Sequence, residues 1–306
     1  MPLDPQARVH LERLAALGIP PLDAQTPEEA RRRSEAGARA LAGPGPDVRV
    51  EDTTLAGVAV RIFEPHGGRD LPVLVFFHGG GWVLGSVRTH DQPCRALAHL
   101  ARCRVVSVEY RLAPEHRFPA AVEDGWSVTA HLLAEGRPVA VGGDSAGGGL
   151  AAVMALRARD RALPLRAQIL IYPVTDCDLD RPSYLENGTG YGLTRDAMRW
   201  FWNHYMGSAP WERPEASPLR APNLAGLAPA LALTCEYDPL RDEGRAYADR
   251  LRAAGVPVEW VEFPGMIHGF FRLGAVIDRT HEAHARCAAA LRRAFAEPPT
   301  SSAAAS

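Results

Sequence analysis

From residue 48 onward the chain alternates between short, almost uninterrupted apolar runs and longer stretches whose apolar residues recur at helical spacing. The runs at 72–77, 104–109, 138–142, 167–172, 230–235 and 258–263 predict strands buried on both faces. Two further strands are predicted at 48–54 and 58–63, joined by a tight turn at Ala56-Gly57. The stretches 89–102, 119–134, 146–160, 242–254 and 278–296 predict helices between the strands. This alternation indicates an α/β fold with a mostly parallel sheet covered on both faces.

Three segments stand outside the alternation. Residues 5–18 place Val9, Leu11, Leu14 and Leu17 at near-helical spacing and stop at Gly18 and Pro20. Residues 26–42 open on Thr26-Pro27-Glu28-Glu29, a capping threonine followed by proline and two acids. Residues 176–222 hold no clear strand; they read as a polar loop over 176–192 and an aromatic-rich helix over 194–206. An insertion of that length between core strands is expected to serve function, for instance as a lid. The tail, 297–306, is Pro, Ser and Ala with one Glu and one Thr and is expected to be disordered.

Composition narrows the chemistry. None of the 34 basic residues is lysine. That removes a Schiff-base lysine, a Walker-type phosphate loop and a Ser-x-x-Lys nucleophile pair. A net charge of −2 excludes a charge-driven nucleic-acid or membrane binder, and no apolar run reaches a bilayer span. The five cysteines form no C-x-x-C, so neither a zinc site nor a disulfide framework is indicated. The N-terminal segment lacks an apolar signal region, so a cytoplasmic location is expected.

Four sites carry candidate chemistry. Gly143-Asp144-Ser145-Ala146-Gly147 follows an apolar strand and opens a small-residue helix, the setting a nucleophilic serine needs on a sharp turn. His78-Gly79-Gly80-Gly81-Trp82 follows another apolar strand, and its glycines allow backbone N–H groups to approach a ligand closely. His78 itself is read as bonded within the loop. Two carboxylates could support a base: Asp238, after the strand at 230–235, and Asp176, after the strand at 167–172. Asp242 and Glu243 read instead as first-turn helix acids. Among the histidines, His268 lies in the loop after the last strand, thirty positions beyond Asp238. His281 and His284 read as solvated positions on the last helix and do not form H-E-x-x-H.

With these motifs in order, the chain resembles the hormone-sensitive-lipase family, the bacterial type IV carboxylesterases of the α/β-hydrolase fold. The matching stretches are HGGGW (78–82), YRLAPEHRFPA (110–120), GDSAGG (143–148), DPLRDEG (238–244) and MIHGF (266–270). The resemblance implies an eight-stranded, mostly parallel sheet flanked by helices, with a catalytic core at 48–175 and 223–296. It implies a helical cap built from 1–47 and 176–222. Ser145 would be the nucleophile, His268 the general base and Asp238 its orienting acid. Backbone N–H groups of Gly80, Gly81 and Ala146 would form the oxyanion hole. Trp82, Asp144, Trp200, Phe201, Leu240 and Ile267 are candidate pocket residues, and Tyr205 and Trp202 candidates for cap packing. The implied activity is hydrolysis of short- to medium-chain carboxylic esters through an acyl-enzyme. An amidase, lactonase or deacetylase on the same triad, or a non-catalytic ligand-binding relative, are the alternatives. No cofactor or metal is implied. The partners are a small-molecule ester and water, with no nucleic acid and no membrane span, and with a homo-oligomer left open.

Overall fold

A computed structural model describes residues 1–296, so the tail expected to be disordered lies outside the described residues. Eight strands form one sheet: β1 (Arg49–Leu55), β2 (Val58–Glu64), β3 (Val73–Phe77), β4 (Arg104–Val108), β5 (Val139–Asp144), β6 (Gln168–Ile171), β7 (Ala230–Tyr237) and β8 (Val258–Ile267). Their spatial order is β1-β2-β4-β3-β5-β6-β7-β8. Only β2 runs against its neighbours; from β4 across to β8 every pairing is parallel.

The apolar runs are explained by what lies on either side of the sheet. Val73, Val75 and Phe77 of β3 face one core, and Leu74 and Phe76 face the other. The same alternation splits Val139 and Val141 from Ala140 on β5. Side chains of successive strand residues point to opposite faces, so a strand covered on both needs apolar residues throughout. On the first face lie α4 (Ala120–Ala134), α5 (Ala146–Asp160) and α8 (Arg241–Ala253). On the second lie α3 (Asp91–Ala101) and α9 (Arg279–Ala296). Amphipathic stripes on α3, α8 and α9 explain their helical spacing, whereas α5 is buried on nearly every side.

The N-terminal helices are α1 (Pro5–Ala16) and α2 (Pro27–Ala42). Thr26 caps α2 as expected: its hydroxyl accepts the Glu29 N–H, and Glu29 answers to the Thr26 N–H in a capping box. The central insertion differs from expectation. Its first part is not a plain polar loop but contains the short helix α6 (Pro182–Asn187), whose Ser183 and Tyr184 are buried. The missed signal is Pro182 at the first helical position, too short a run to show periodicity. The second part is α7 (Arg195–Met206), N-capped by Thr194. Met198, Phe201, Trp202 and Tyr205 point from α7 into the first core. Among the described residues no helix is long and apolar enough to cross a membrane.

Two local readings are corrected. His284 is not solvated: it is 1% exposed, its Nε2 lies 2.9 Å from the Phe271 carbonyl, and its ring meets Phe271 edge-on. Burial pushes it down to about 4. Glu243 sits in the first turn of α8 but is wholly buried, accepting the N–H groups of Thr175 and Asp176. It therefore ties the insertion's start to α8 rather than facing water.

Candidate active site

The site is built where β5 meets α5. Ser145 occupies the turn between them with φ 57° and ψ −123°, a left-handed conformation that an L-residue holds only under tertiary constraint. The flanking glycines permit it. A Cβ on Gly147 would lie 2.0 Å from the Phe77 carbonyl oxygen, and one on Gly143 would lie 2.4 Å from the same atom. The end of β3 thus presses directly on the turn, and any larger residue there would displace it. The turn is pinned further by the Ser145 N–H on the Ile171 carbonyl and the Val174 N–H on the Ser145 carbonyl.

His268 follows β8 and Asp238 follows β7, so adjacent parallel strands deliver both to the same end of the sheet. His268 Nε2 lies 3.0 Å from Ser145 Oγ, and its Nδ1 lies 2.8 Å from Asp238 Oδ2. Asp238 is fully buried, and its other oxygen accepts the Leu240 N–H at 2.8 Å. The Tyr172 ring flanks the His268 ring at 4.6 Å between centroids. Asp176, the other candidate acid, is elsewhere: it pairs with Arg181 and Arg220, each at 2.6 Å. Burial opposes its ionisation, but hydrogen bonds from the two arginines prevail and hold its carboxyl below the usual range. The structure therefore separates two acids that sequence position left equivalent.

The glycine loop runs from the end of β3 over the turn. Gly80 has φ 122° and Gly81 φ 60°, values that favour glycine. The Gly80 carbonyl accepts the N–H groups of Val83 and Leu84, closing the loop on itself. The described residues supply no acceptor to the N–H groups of Gly80 and Gly81. Ala146 is the first residue of α5, so its N–H lies outside the intrahelical ladder. His78 is bonded within the loop through Nδ1 to the Gly79 carbonyl, and its ring stacks on Tyr110 at 4.2 Å. Burial pushes His78 down to about 3, so it is held neutral there.

The remaining pocket candidates are placed less uniformly. Phe201 packs its ring onto the loop, 2.1 Å from where a Cβ on Gly81 would sit. Trp200 is partly exposed and meets Phe201 edge-on. Trp82 is buried and stacks on Tyr205 at 4.2 Å with rings 7° apart, so it packs against α7. Leu240 and Ile267 are both buried beside the acid and the histidine. Asp144 is turned inward, accepting the Gly79 N–H at 2.8 Å beside His90, and so faces the protein rather than a pocket. Sequence reasoning missed His90 and Arg31. Arg31 of α2 donates to the carbonyls of Val83 and Ala113 and pairs with Glu115, which joins the N-terminal segment to the loop. Its only sequence trace was one arginine among three in a row.

Similarity to known proteins agrees with this geometry. A protein family described by the alpha/beta hydrolase fold matches residues 74–272. The chain is 43% identical over 268 residues to Carboxylesterase NlhH of Mycobacterium tuberculosis, covering 82% of this chain and 84% of that protein. It is 37% identical over 309 residues to an ethyl acetate hydrolase of Pseudomonas putida, covering 92% and 96%. A solved hyperthermophilic esterase from Pyrobaculum calidifontis superposes with a TM-score of 0.91 at 42% identity, covering 96% of this chain and 99% of that one. The chain belongs to the α/β-hydrolase family, in its hormone-sensitive-lipase-like, type IV branch.

Proposed function

We propose that this protein is a serine carboxylesterase acting on short- to medium-chain carboxylic esters, with Ser145 as nucleophile, His268 as base and Asp238 as its orienting acid. The observation that carries the reading is the continuous hydrogen-bonded series from Ser145 Oγ through His268 to Asp238, at 3.0 and 2.8 Å. The relatives named as esterases support the choice of an ester substrate. His268 Nε2 takes the hydroxyl proton as Oγ attacks the ester carbonyl, because a serine hydroxyl is a weak nucleophile until its proton is accepted. Asp238 holds the proton on Nδ1, which leaves Nε2 free to act, and offsets the charge the ring gains. The carbonyl oxygen becomes an oxyanion, which the N–H groups of Gly80, Gly81 and Ala146 stabilise. His268 returns the proton to the leaving alcohol. Water then repeats the sequence on the acyl-enzyme, releasing the acid.

Residues 1–47 and 176–222 serve as a cap over the core at 48–175 and 223–296. The support is Phe201 against Gly81 and Arg31 on the loop carbonyls. Phe201 restricts the space beside the loop, which favours short acyl chains. The test is a panel of p-nitrophenyl esters of rising acyl length, run on the native chain and on Ser145→Ala. Ester turnover falls by about 10⁴- to 10⁶-fold in Ser145→Ala, and acetate and butyrate esters outrun long-chain ones. Near-normal turnover in Ser145→Ala would overturn the nucleophile, and faster long-chain hydrolysis would overturn the substrate class.

A further inference from the structure

The strand that delivers the acid leaves the sheet irregularly. Cys235 of β7 pairs with Phe263 and Tyr237 with Ile267, and the register shifts between them, so no pairing forms at Glu236. The next helix, α8, begins at Arg241. Asp238 therefore stands in a short turn between an irregular strand end and a helix, and both Asp238 and Leu240 are fully buried. A chain that turns out of a sheet leaves carbonyl groups without ladder donors, and buried ones need donors from elsewhere.

Most of those donors come from α6. Ser183 and Asn187 lie one helical turn apart on one face of that helix, and both are buried. The Ser183 hydroxyl donates to the Pro239 carbonyl at 2.6 Å, and its oxygen accepts the Asp242 N–H at 3.3 Å. The Asp242 carboxylate in turn accepts the Ser183 N–H at 2.8 Å. Asn187 donates through Nδ2 to the Glu236 carbonyl at 3.2 Å and to the Asp238 carbonyl at 3.4 Å. Two neighbouring acceptors settle which end of the amide is nitrogen. Arg241 completes the set, with its N–H on the Asp238 carbonyl at 3.1 Å and its guanidinium 3.4 Å from the Glu236 carbonyl. One helix face thus holds backbone groups before, at and after Asp238.

That helix is itself anchored at both ends. Arg181, the residue before it, pairs with the buried Asp176, which Arg220 also holds. Gly188, the residue after it, accepts the Arg195 N–H at 3.0 Å, and farther along the Tyr191 ring meets the Tyr237 ring at 4.8 Å between centroids. The acid follows its turn closely. Asp238 Oδ1 is bonded to the Leu240 N–H within the same turn, so Oδ2, 2.8 Å from His268 Nδ1, moves where the turn moves.

We infer that Ser183 and Asn187 are positioning residues for the triad acid: α6, the first helix of the central insertion, holds the turn that sets Asp238 against His268. The inference rests on the esterase reading, and its test separates the two. kcat and KM for p-nitrophenyl acetate are measured on the native full chain, on Asn187→Ala, on Asp238→Asn and on the double variant. Asn187→Ala loses about tenfold to a hundredfold in kcat with little change in KM, the scale of a misplacement of about an ångström. The double variant loses no more than Asp238→Asn alone, because a residue that acts through the acid has nothing left to position once the acid is disabled. Losses that multiply in the double variant mark a general structural effect and overturn the inference. Near-native kcat in Asp238→Asn overturns the triad reading and the inference with it. A large loss in Asp238→Asn beside unchanged kcat in Asn187→Ala overturns the inference alone. Should Asn187→Ala fail to fold, Ser183→Ala, which removes a single hydroxyl, runs the same cycle and is judged by the same outcomes.

Discussion

Replacing either of the two candidate acids by its amide separates their roles. Asparagine at 238 keeps the shape of the side chain but can present an N–H to His268 Nδ1, 2.8 Å away. The ring then adopts the tautomer with its hydrogen on Nε2, and Nε2 cannot take the proton of Ser145. A wrong tautomer of this kind lowers kcat by about 10⁴ in the serine-protease example, which at 1.36 kcal/mol per decade is about 5 kcal/mol of barrier. Asp176→Asn acts on stability instead. It removes the charge that faces Arg181 and Arg220, each at 2.6 Å. The two guanidinium side chains are 24% and 39% exposed, so water screens them after the loss. The expected cost is about 1–3 kcal/mol, below that of breaking a fully buried pair. The sign with pH follows from the depressed carboxyl of Asp176. Its contribution is present above the ordinary value of 3.8 and is lost as pH falls through the lower folded value, a dependence that Asp176→Asn lacks. Steady-state kinetics on p-nitrophenyl butyrate, with urea unfolding at two pH values, measure both effects. A large loss of kcat in Asp176→Asn with near-native kcat in Asp238→Asn would refute the assignment.

Three further changes probe the supports of the site. Gly147→Ala forces a methyl to within 2.0 Å of the Phe77 carbonyl and lowers stability by about 1–3 kcal/mol or more, read as a shift in urea midpoint with a parallel fall in kcat; an unchanged midpoint would show that the turn can relax. Arg31→Ala leaves the Val83 and Ala113 carbonyls without their guanidinium donor and lowers stability by about 1–3 kcal/mol, while Arg31→Lys recovers only part of it because an ammonium lacks the planar fork; full recovery by lysine counts against the bridging role. Burial pushes the Glu243 carboxyl well above its ordinary value, so the native chain loses stability as pH rises from the ordinary carboxylate range toward neutrality. Glu243→Gln removes that titration, and its unfolding midpoint gains on the native chain between pH 4 and pH 7; a constant difference across that range would refute the reasoning.

Much of the architecture was legible because its causes are local or periodic. The small-residue helix α5 (Ala146–Asp160) matches its sequence range at both ends, since a strand-ending turn and the loss of apolar spacing mark them. Strands covered on both faces require apolar residues without interruption, and that requirement is written directly in β3 (Val73–Phe77) and in the first three residues of β5 (Val139–Asp144). Short elements were not legible: α6 (Pro182–Asn187) spans too few residues for a period to appear and is stabilised by Ser183 and Asp242 exchanging hydrogen bonds across the fold. His284 was misread because its exposure depends on whether Phe271 and the 3₁₀ turn beside it cover the helix face.

By itself the sequence determined which residues could carry the chemistry: a serine on a glycine-flanked turn, a loop of three glycines, a histidine after the last strand, and no lysine to replace it. Those choices follow from side-chain type and from neighbours within a few positions. The residues by themselves left Asp176 beside Asp238, the resemblance implied Asp238, and the tertiary structure brings Asp238 to the histidine. Asp176 and Asp238 both follow strands, and the difference lies in the arginines near one and His268 near the other. It likewise decided that Asp144 turns inward to His90 across 54 residues of chain rather than outward to a pocket. Contacts between distant segments depend on strand order and on the space left by packing, and neither is encoded in any single stretch of the chain.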